Sequence, residues 1–335
     1  MYSFHGSTAS PASSPPASDI SPVAQPDPPA NMLHAELFHH LSTVTLPSFC
    51  DSGSGLYLSP ADMINHGLST PYLLNELLAL AALHLGVLRK DRKDYYRHHS
   101  AQLQNHALQL LHVSELDPSG KTSVSAFVFS SILGIHLLCD TLLFRDGEFQ
   151  HFLDRFIHYL RIHQGVRSVI GGHWAHLKET SLKSVLDEGE ASLQRQDTTG
   201  TGQGACSHLL ARIQAAHLGP CTADTYRQAI EALQRSLAAA SRGTAADRRH
   251  GALAWPVVVT QEHNDALVHR RPEALVILAH FAALLHACQE MWVFGDGGRF
   301  LIESVEGYLG PDWNEWLAWP VQCVAESTVY AAGGI

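Results

Sequence analysis

No two of the six cysteines (Cys50, Cys139, Cys206, Cys221, Cys288 and Cys323) stand close enough to form a C-x-x-C pair. That excludes a zinc framework and a small disulfide-stapled secreted scaffold, and leaves buried free thiols in a reducing compartment as the expectation. Runs of basic residues are also missing. The densest patch, Arg89-Lys90-Asp91-Arg92-Lys93, is broken by an acid, and the formal net charge is -10. A nucleic-acid surface needs a clustered basic face, so no direct nucleic-acid binding is expected of this chain. The patch reads as a solvated helix end or as a weak nuclear-import signal. At the N-terminus no basic region leads into an apolar core, so no secretory leader is expected. The longest apolar run, Ala274 to Cys288, contains His280 and His286. It falls short of the ~18 residues of a membrane span, so no span is expected and the chain reads as soluble and intracellular.

Catalytic signatures are equally scarce. Neither G-x-S-x-G nor G-x-x-x-x-G-K-[ST] occurs, which removes the hydrolase elbow and the P-loop. Gly200-Thr-Gly202-Gln-Gly204-Ala205 matches a relaxed dinucleotide fingerprint, but the polar Leu193-Gln-Arg-Gln-Asp-Thr-Thr before it is no buried strand. Asp187-Glu188-Gly189-Glu190 reads as a solvated helix end rather than a carboxylate pair. The chain has 23 histidines, yet no two are four apart, the spacing that aims two imidazoles from one helix face at a metal. Only His173 and His176 are three apart, with no evident third ligand. The expectation is no metal, no cofactor and no enzyme. A serine, a histidine and an aspartate distant in sequence can still converge in space, which patterns alone do not reveal.

What the chain does have is apolar periodicity. Residues 1–30 stand apart: seven of the 16 prolines fall between Pro11 and Pro29, among Ser and Ala, a composition too poor in apolar area to offset ordering entropy. From Asn31 onward the pattern is helical. Tyr96, Leu103, Ala107, Leu110 and Leu111 recur at helical steps, as do Phe149, Phe152, Phe156, Ile157 and Leu160. Leu73 to Leu88 and Phe127 to Leu143 are apolar nearly all round, as buried helices are. Thr222 reads as an N-cap of a helix running to about Ala240. Asp197 to Gly204 and Ser241 to Gly251 read as polar breaks, and Trp255 to Thr260 as a short strand or a loop. The pattern predicts an all-α bundle of about a dozen helices over residues 31–325, with no linker clear enough to divide it.

The densest apolar feature lies between Pro272 and Pro320. Ala274 to Trp292 reads as a helix whose apolar stripe is wide enough to be covered on both faces. It leads into Met291-Trp292-Val293-Phe294-Gly295-Asp296-Gly297-Gly298. Glycine permits close backbone approach, and Met, Trp and Phe are adaptable surfaces for an apolar ligand. The same residues would equally make a tightly packed core corner.

This stretch resembles the C-terminal signature of the fungal sterol uptake control regulators, within the binuclear zinc-cluster transcription factors. The matching words are Ala274 to Leu285, the W-x-x-G-x-x-G turn Trp292 to Gly298, and Leu317-Ala318-Trp319-Pro320. The family's opening helices, L-x-H-H and L-x-A-L-A-A-L-H-L, are similar to Leu33 to His40 and Leu73 to Leu85, and the likeness spans most of residues 32 to 322. The resemblance implies an all-α regulatory domain holding a sterol in an apolar pocket closed by the glycine turn, with occupancy controlling retention or nuclear entry. On that basis Phe281, Leu284, Leu285, Met291, Trp292, Phe294, Gly295, Gly297 and Gly298 are the expected ligand-binding residues. The six closely spaced cysteines and basic linker of the family's DNA-binding module have no counterpart in this sequence. The expected protein is therefore a fungal-specific transcription regulator of a sterol or secondary-metabolite pathway. It is expected in the nucleus, shuttling from the cytoplasm, with an apolar small molecule and other transcription factors or a second copy as partners. A pure helical interaction module, and an enzyme that recruited this scaffold for an apolar substrate, are the alternatives.

Overall fold

The computed structural model describes residues 30–49, 58–113, 123–145, 147–171, 177–180, 182–183, 186–187, 201–241 and 244–332. Among these are thirteen α-helices and no strand, the all-α bundle the periodicity predicts. The helices are α1 (Met32–His40), α2 (Pro60–Ser69), α3 (Pro71–Leu88), α4 (Lys93–Val113), α5 (Ser123–Leu143), α6 (Phe149–Gly171), α7 (Thr201–Ala215), α8 (Pro220–Ala240), α9 (Ala245–Val258), α10 (Gln261–Val268), α11 (Pro272–Ala287), α12 (Gly297–Leu309) and α13 (Asn314–Ala332).

Two helices without a polar face organise the rest. In α3, Leu73, Leu77, Leu80, Ala81 and Leu83 are all sealed from solvent. It is surrounded by α1, α2, α4 and α5. In α11 every residue from Ala274 to His286 is buried, with α8, α9, α10, α12 and α13 packed around it. Each enclosed Leu contributes about 1.5–3 kcal/mol relative to an exposed one. One apolar cluster runs through both halves. By length and composition α3 and the Val124–Leu143 part of α5 are apolar enough to cross a membrane, but 72% and 61% of those windows are buried inside the bundle. Their apolar surface is thus already used in protein packing.

Side-chain caps fix several helix starts. Asn31 accepts from the His34 amide at 3.1 Å, Ser59 from Asp62 at 3.1 Å and Thr244 from Asp247 at 3.0 Å; such caps contribute about 1 kcal/mol each. The amphipathic stripes fall as expected: Tyr96, Leu103 and Ala107 on α4, and Phe152, Phe156, Ile157 and Leu160 on α6, face the core. The basic patch is the short 3-10 turn between α3 and α4. There Arg89 pairs with Glu36 at 2.5 Å and also donates to Tyr96, while Arg92 lies over the Tyr95 ring.

Several boundaries differ from the sequence expectation. α8 starts at Pro220 with Gly219 as its N-cap, not at Thr222, because proline at the first helical position lacks only an N–H that would be unpaired there anyway. Trp255 to Val258 are neither strand nor loop but the last turn of α9, with Pro256 inside it. Trp255 is fully buried and its indole donates to the Ala229 carbonyl at 3.2 Å, so tertiary packing overrides the local preference. The break expected at Ser241 to Gly251 is shorter, since α9 begins at Ala245. Likewise Thr201 to Gly204 form the first turn of α7. At the C-terminus α13 continues to Ala332, past residue 325. The proline-rich tail, Cys50, His173, His176 and residues 188–200 lie outside the described residues.

Among the described residues burial lowers several histidines, His163 to about 4 and His40 and His286 in the same direction, and three more are enclosed as neutral rings. Burial pulls His84 and His263 down to about 3, and His280 down to about 4. Above pH 6.5 these rings are neutral in both folded and unfolded chains. Below it the unfolded chain binds protons that the folded one refuses, so stability falls with pH until the folded values are reached. Each ring costs about 1.4 kcal/mol per pH unit in that window. Urea unfolding at pH 7.5 and 5.5 should therefore show a loss of roughly 4 kcal/mol from the three together; equal stability at the two pH values would contradict the assignment.

Candidate functional site

The corner between α11 and α12 is built by helix termination and close packing. α11 ends at Ala287, not at Trp292 as periodicity suggests. From Cys288 the chain closes into tight turns, Met291 N–H to Cys288 O at 3.0 Å and Phe294 N–H to Met291 O at 3.0 Å. Gly295 takes φ +47°, and a Cβ there would meet Leu143 at 2.7 Å. α12 then starts directly against α11: a Cβ on Gly298 would sit 2.3 Å from the His286 amide nitrogen and 2.6 Å from the Ala282 carbonyl. A Cβ on Gly297 would sit 2.7 Å from Leu142. The glycines let the start of α12 press on the backbone of α11 and the end of α5. Outside the turn, Asp296 pairs with Arg145, whose guanidinium lies over the Phe300 ring.

The expected ligand-binding residues do not share one surface. Met291, Trp292, Phe294, Gly295, Gly297 and Gly298 cluster at the corner; Phe294 is fully buried, Met291 and Trp292 half-buried. Leu284 and Leu285 are buried in the last turn of α11. Phe281 stacks on Trp255 at 4.5 Å and lies 6.4 Å from the Phe156 ring, in the packing of α9 and α6 instead.

Trp292 ties the corner to the opposite end of the sequence. Its indole stacks on His84 of α3 at 4.0 Å with an interplanar angle of 9°, meets Phe49 edge-on at 5.8 Å, and donates Nε1–H to Ser48 Oγ at 2.9 Å. Ser48 and Phe49 lie just after Leu41–Thr45, a π-helical turn that continues α1. Such turns are rare and are often found at functional sites. Thr45 Oγ1 shares a hydrogen bond of 3.1 Å with His84 Nδ1, and His40 packs on the same ring at 4.9 Å. Burial, with His40 adding a smaller push, keeps His84 neutral, so a flat, uncharged imidazole faces the tryptophan. Sequence reasoning named Trp292 but missed Thr45, Ser48, Phe49 and His84. A histidine inside the otherwise apolar Leu80-Ala-Ala-Leu-His-Leu run was the available signal.

Two open clefts of about 430 Å³ each lie elsewhere, side by side along α5. One is lined by Tyr159, Arg155 and His151 of α6, the other by Arg97, Ser100 and Gln104 of α4 with His136, and both share Leu137 and Asp140. None of residues 281–298 lines either cleft. Asp140 stands between them, held by Arg97 at 2.8 Å and Arg155 at 2.6 Å.

Against known proteins, the chain is similar to a Zn(2)-C6 fungal-type transcription factor of Gibberella zeae, 24% identical over 321 residues. The match covers 87% of this chain and 61% of that protein, so the chain spans less than two thirds of its relative. No family model matches, and no solved structure matches. The likeness to fungal zinc-cluster transcription factors is supported at family level; it does not single out a sterol-type regulatory domain.

If the glycines serve close approach, their replacement separates cleanly by position. Gly298→Ala should destabilise the chain by about 2–3 kcal/mol, the usual cost of overpacking, whereas Gly307→Ala in α12, with nothing within 4 Å of its added Cβ, should be neutral or stabilise by ~0.5–1 kcal/mol. Thermal or urea melts of the two variants decide it; equal effects would refute the packing account.

Proposed function

We propose that this chain is a fungal transcription-factor-like regulator working in the nucleus, with no catalysis at the site that senses its ligand. Its helical domain senses an apolar small molecule of sterol-like class at the α11–α12 corner. The likeness to the Gibberella zeae transcription factor supports the regulator part at the coarse level. The sensing part draws support from one observation: Trp292, half-buried at the glycine turn, is also the clasp on Ser48, Phe49 and His84.

An apolar ligand entering at Met291, Trp292 and Phe294 has to displace that clasp, because the turn is otherwise packed against α5 and α11. Ligand occupancy and the position of residues 41–49 are then two readings of one equilibrium. A ligand that binds the opened corner better shifts the population toward it. In this reading the opened segment is what a second copy or another transcription factor recognises, and the shift governs passage from cytoplasm to nucleus in the control of a sterol or secondary-metabolite pathway. DNA contact is not among the roles assigned to this stretch of chain, whose cysteines are too widely spaced for a zinc cluster.

Titration of the purified chain with a fluorescent sterol should give saturable binding that quenches tryptophan emission. Trp292→Ala should weaken it at least tenfold, about 1.4 kcal/mol, with helical content unchanged. Gly297→Asp should abolish it, with the destabilisation expected from the 2.7 Å approach to Leu142. Absence of saturable binding by the wild-type chain would overturn the sensor reading; stable protein partners recovered with no sterol binding would favour a pure interaction module.

A further inference from the structure

One of the two clefts along α5 has a floor that the regulatory reading does not use. Ser100 of α4, His136 of α5 and Glu76 of α3 form a continuous relay. Ser100 Oγ lies 3.1 Å from His136 Nε2, and His136 Nδ1 lies 3.0 Å from Glu76 Oε1. All three are buried, yet Ser100 and His136 line the cleft of about 430 Å³. That volume suits a small ligand. One turn beyond Ser100, Gln104 lines the same cleft, and its amide nitrogen is shielded from water with no hydrogen-bond partner.

Three consecutive helices thus present a hydroxyl, an imidazole and a carboxylate in nucleophile–base–orienter order, the arrangement that geometry rather than sequence position identifies. Gln104 adds an amide donor at i+4 from the hydroxyl, on the same face of α4. We propose that Ser100 is an acyl-accepting nucleophile for small activated esters that enter this cleft, a site separate from the α11–α12 corner and independent of the function proposed for it.

At rest the Ser100 hydroxyl donates to the Ala79 carbonyl at 2.8 Å. In the reaction the hydroxyl proton turns to His136 Nε2, and Oγ attacks the ester carbonyl. The carbonyl oxygen takes up negative charge opposite the Gln104 amide. The bond to the alkoxy group then breaks, and the leaving oxygen takes the proton from His136. Water, deprotonated by His136 Nε2, then attacks the acyl carbon; the Oγ–acyl bond breaks, Ser100 Oγ takes the proton back from His136, and the carboxylic acid leaves. Glu76 is a positioning residue: it touches no substrate, and its carboxylate holds the Nδ1–H side of the ring so that Nε2 faces the hydroxyl.

The test is labelling of the purified full chain with a fluorophosphonate probe, mapped by mass spectrometry, beside p-nitrophenyl acetate turnover. Label should fall on Ser100 and disappear in Ser100→Ala. The labelling rate should drop by roughly 10²-fold or more in His136→Gln and by roughly 10²-fold in Gln104→Ala, with circular dichroism unchanged in the latter. A downfield imidazole proton resonance lost in Glu76→Gln should report the His136–Glu76 bond, and the positioning role predicts that the Ser100 labelling rate falls in the same variant while its circular dichroism is unchanged. The wild-type chain decides the matter even if a variant misfolds: no label, or label only on other serines, in a folded chain overturns the proposal.

Discussion

A helix with no polar face is stable only when it is surrounded, and this chain contains two that set the plan of the bundle. α3 and α11 each bury nearly their whole circumference, so α1, α2, α4 and α5 are placed to cover the first and α8, α9, α10, α12 and α13 to cover the second. The caps and amphipathic stripes of the outer helices supply local stability of the order of a kcal/mol each. Enclosure of the two central helices supplies the larger apolar term.

That enclosure also explains where the polar groups went. A ring or carboxylate carried on a core helix has to find a partner inside or remain neutral. His84 stays neutral between Thr45 and Trp292, and His280 is satisfied by the Val276 carbonyl at 2.9 Å and stacks on Trp319. Glu76, fully buried on α3, reaches His136 and through it Ser100. Most of these contacts join different helices, and mild acid opposes the neutral rings of His84 and His280 in the same direction.

The glycine corner and the Trp292 clasp are two sides of one packing problem. Gly297 and Gly298 let α12 lie on α11 and α5, and the chain that arrives there must turn sharply after Ala287. The turn pushes Trp292 outward, where Ser48, Phe49 and His84 receive it. The proposed sensing role calls for an element held by few contacts on one side and firmly anchored on the other. Trp292 fits that description, while the clefts beside Asp140 offer open volume without the same connection to the termini.

The sequence alone determined the all-α class, the near-continuous apolar character of α3 and α5 and the wide apolar stripe of α11, the stripes of α4 and α6, and the special character of residues 291–298, because each is carried by local periodicity and by glycine, proline and aromatic chemistry. It did not determine that Phe281 packs with Trp255 rather than with Trp292, since both lie within one apolar stretch and periodicity does not say which neighbour covers which face. It misplaced the end of α11 and the fold of Trp255 to Val258, where burial outweighed local preference. The His84–Trp292 stack and the Ser100–His136–Glu76 relay were decided only by tertiary structure. Their members are separated by dozens to hundreds of residues, and each looks in isolation like one polar residue on an apolar helix. Only enclosure, which denies such groups water, forces them to find one another.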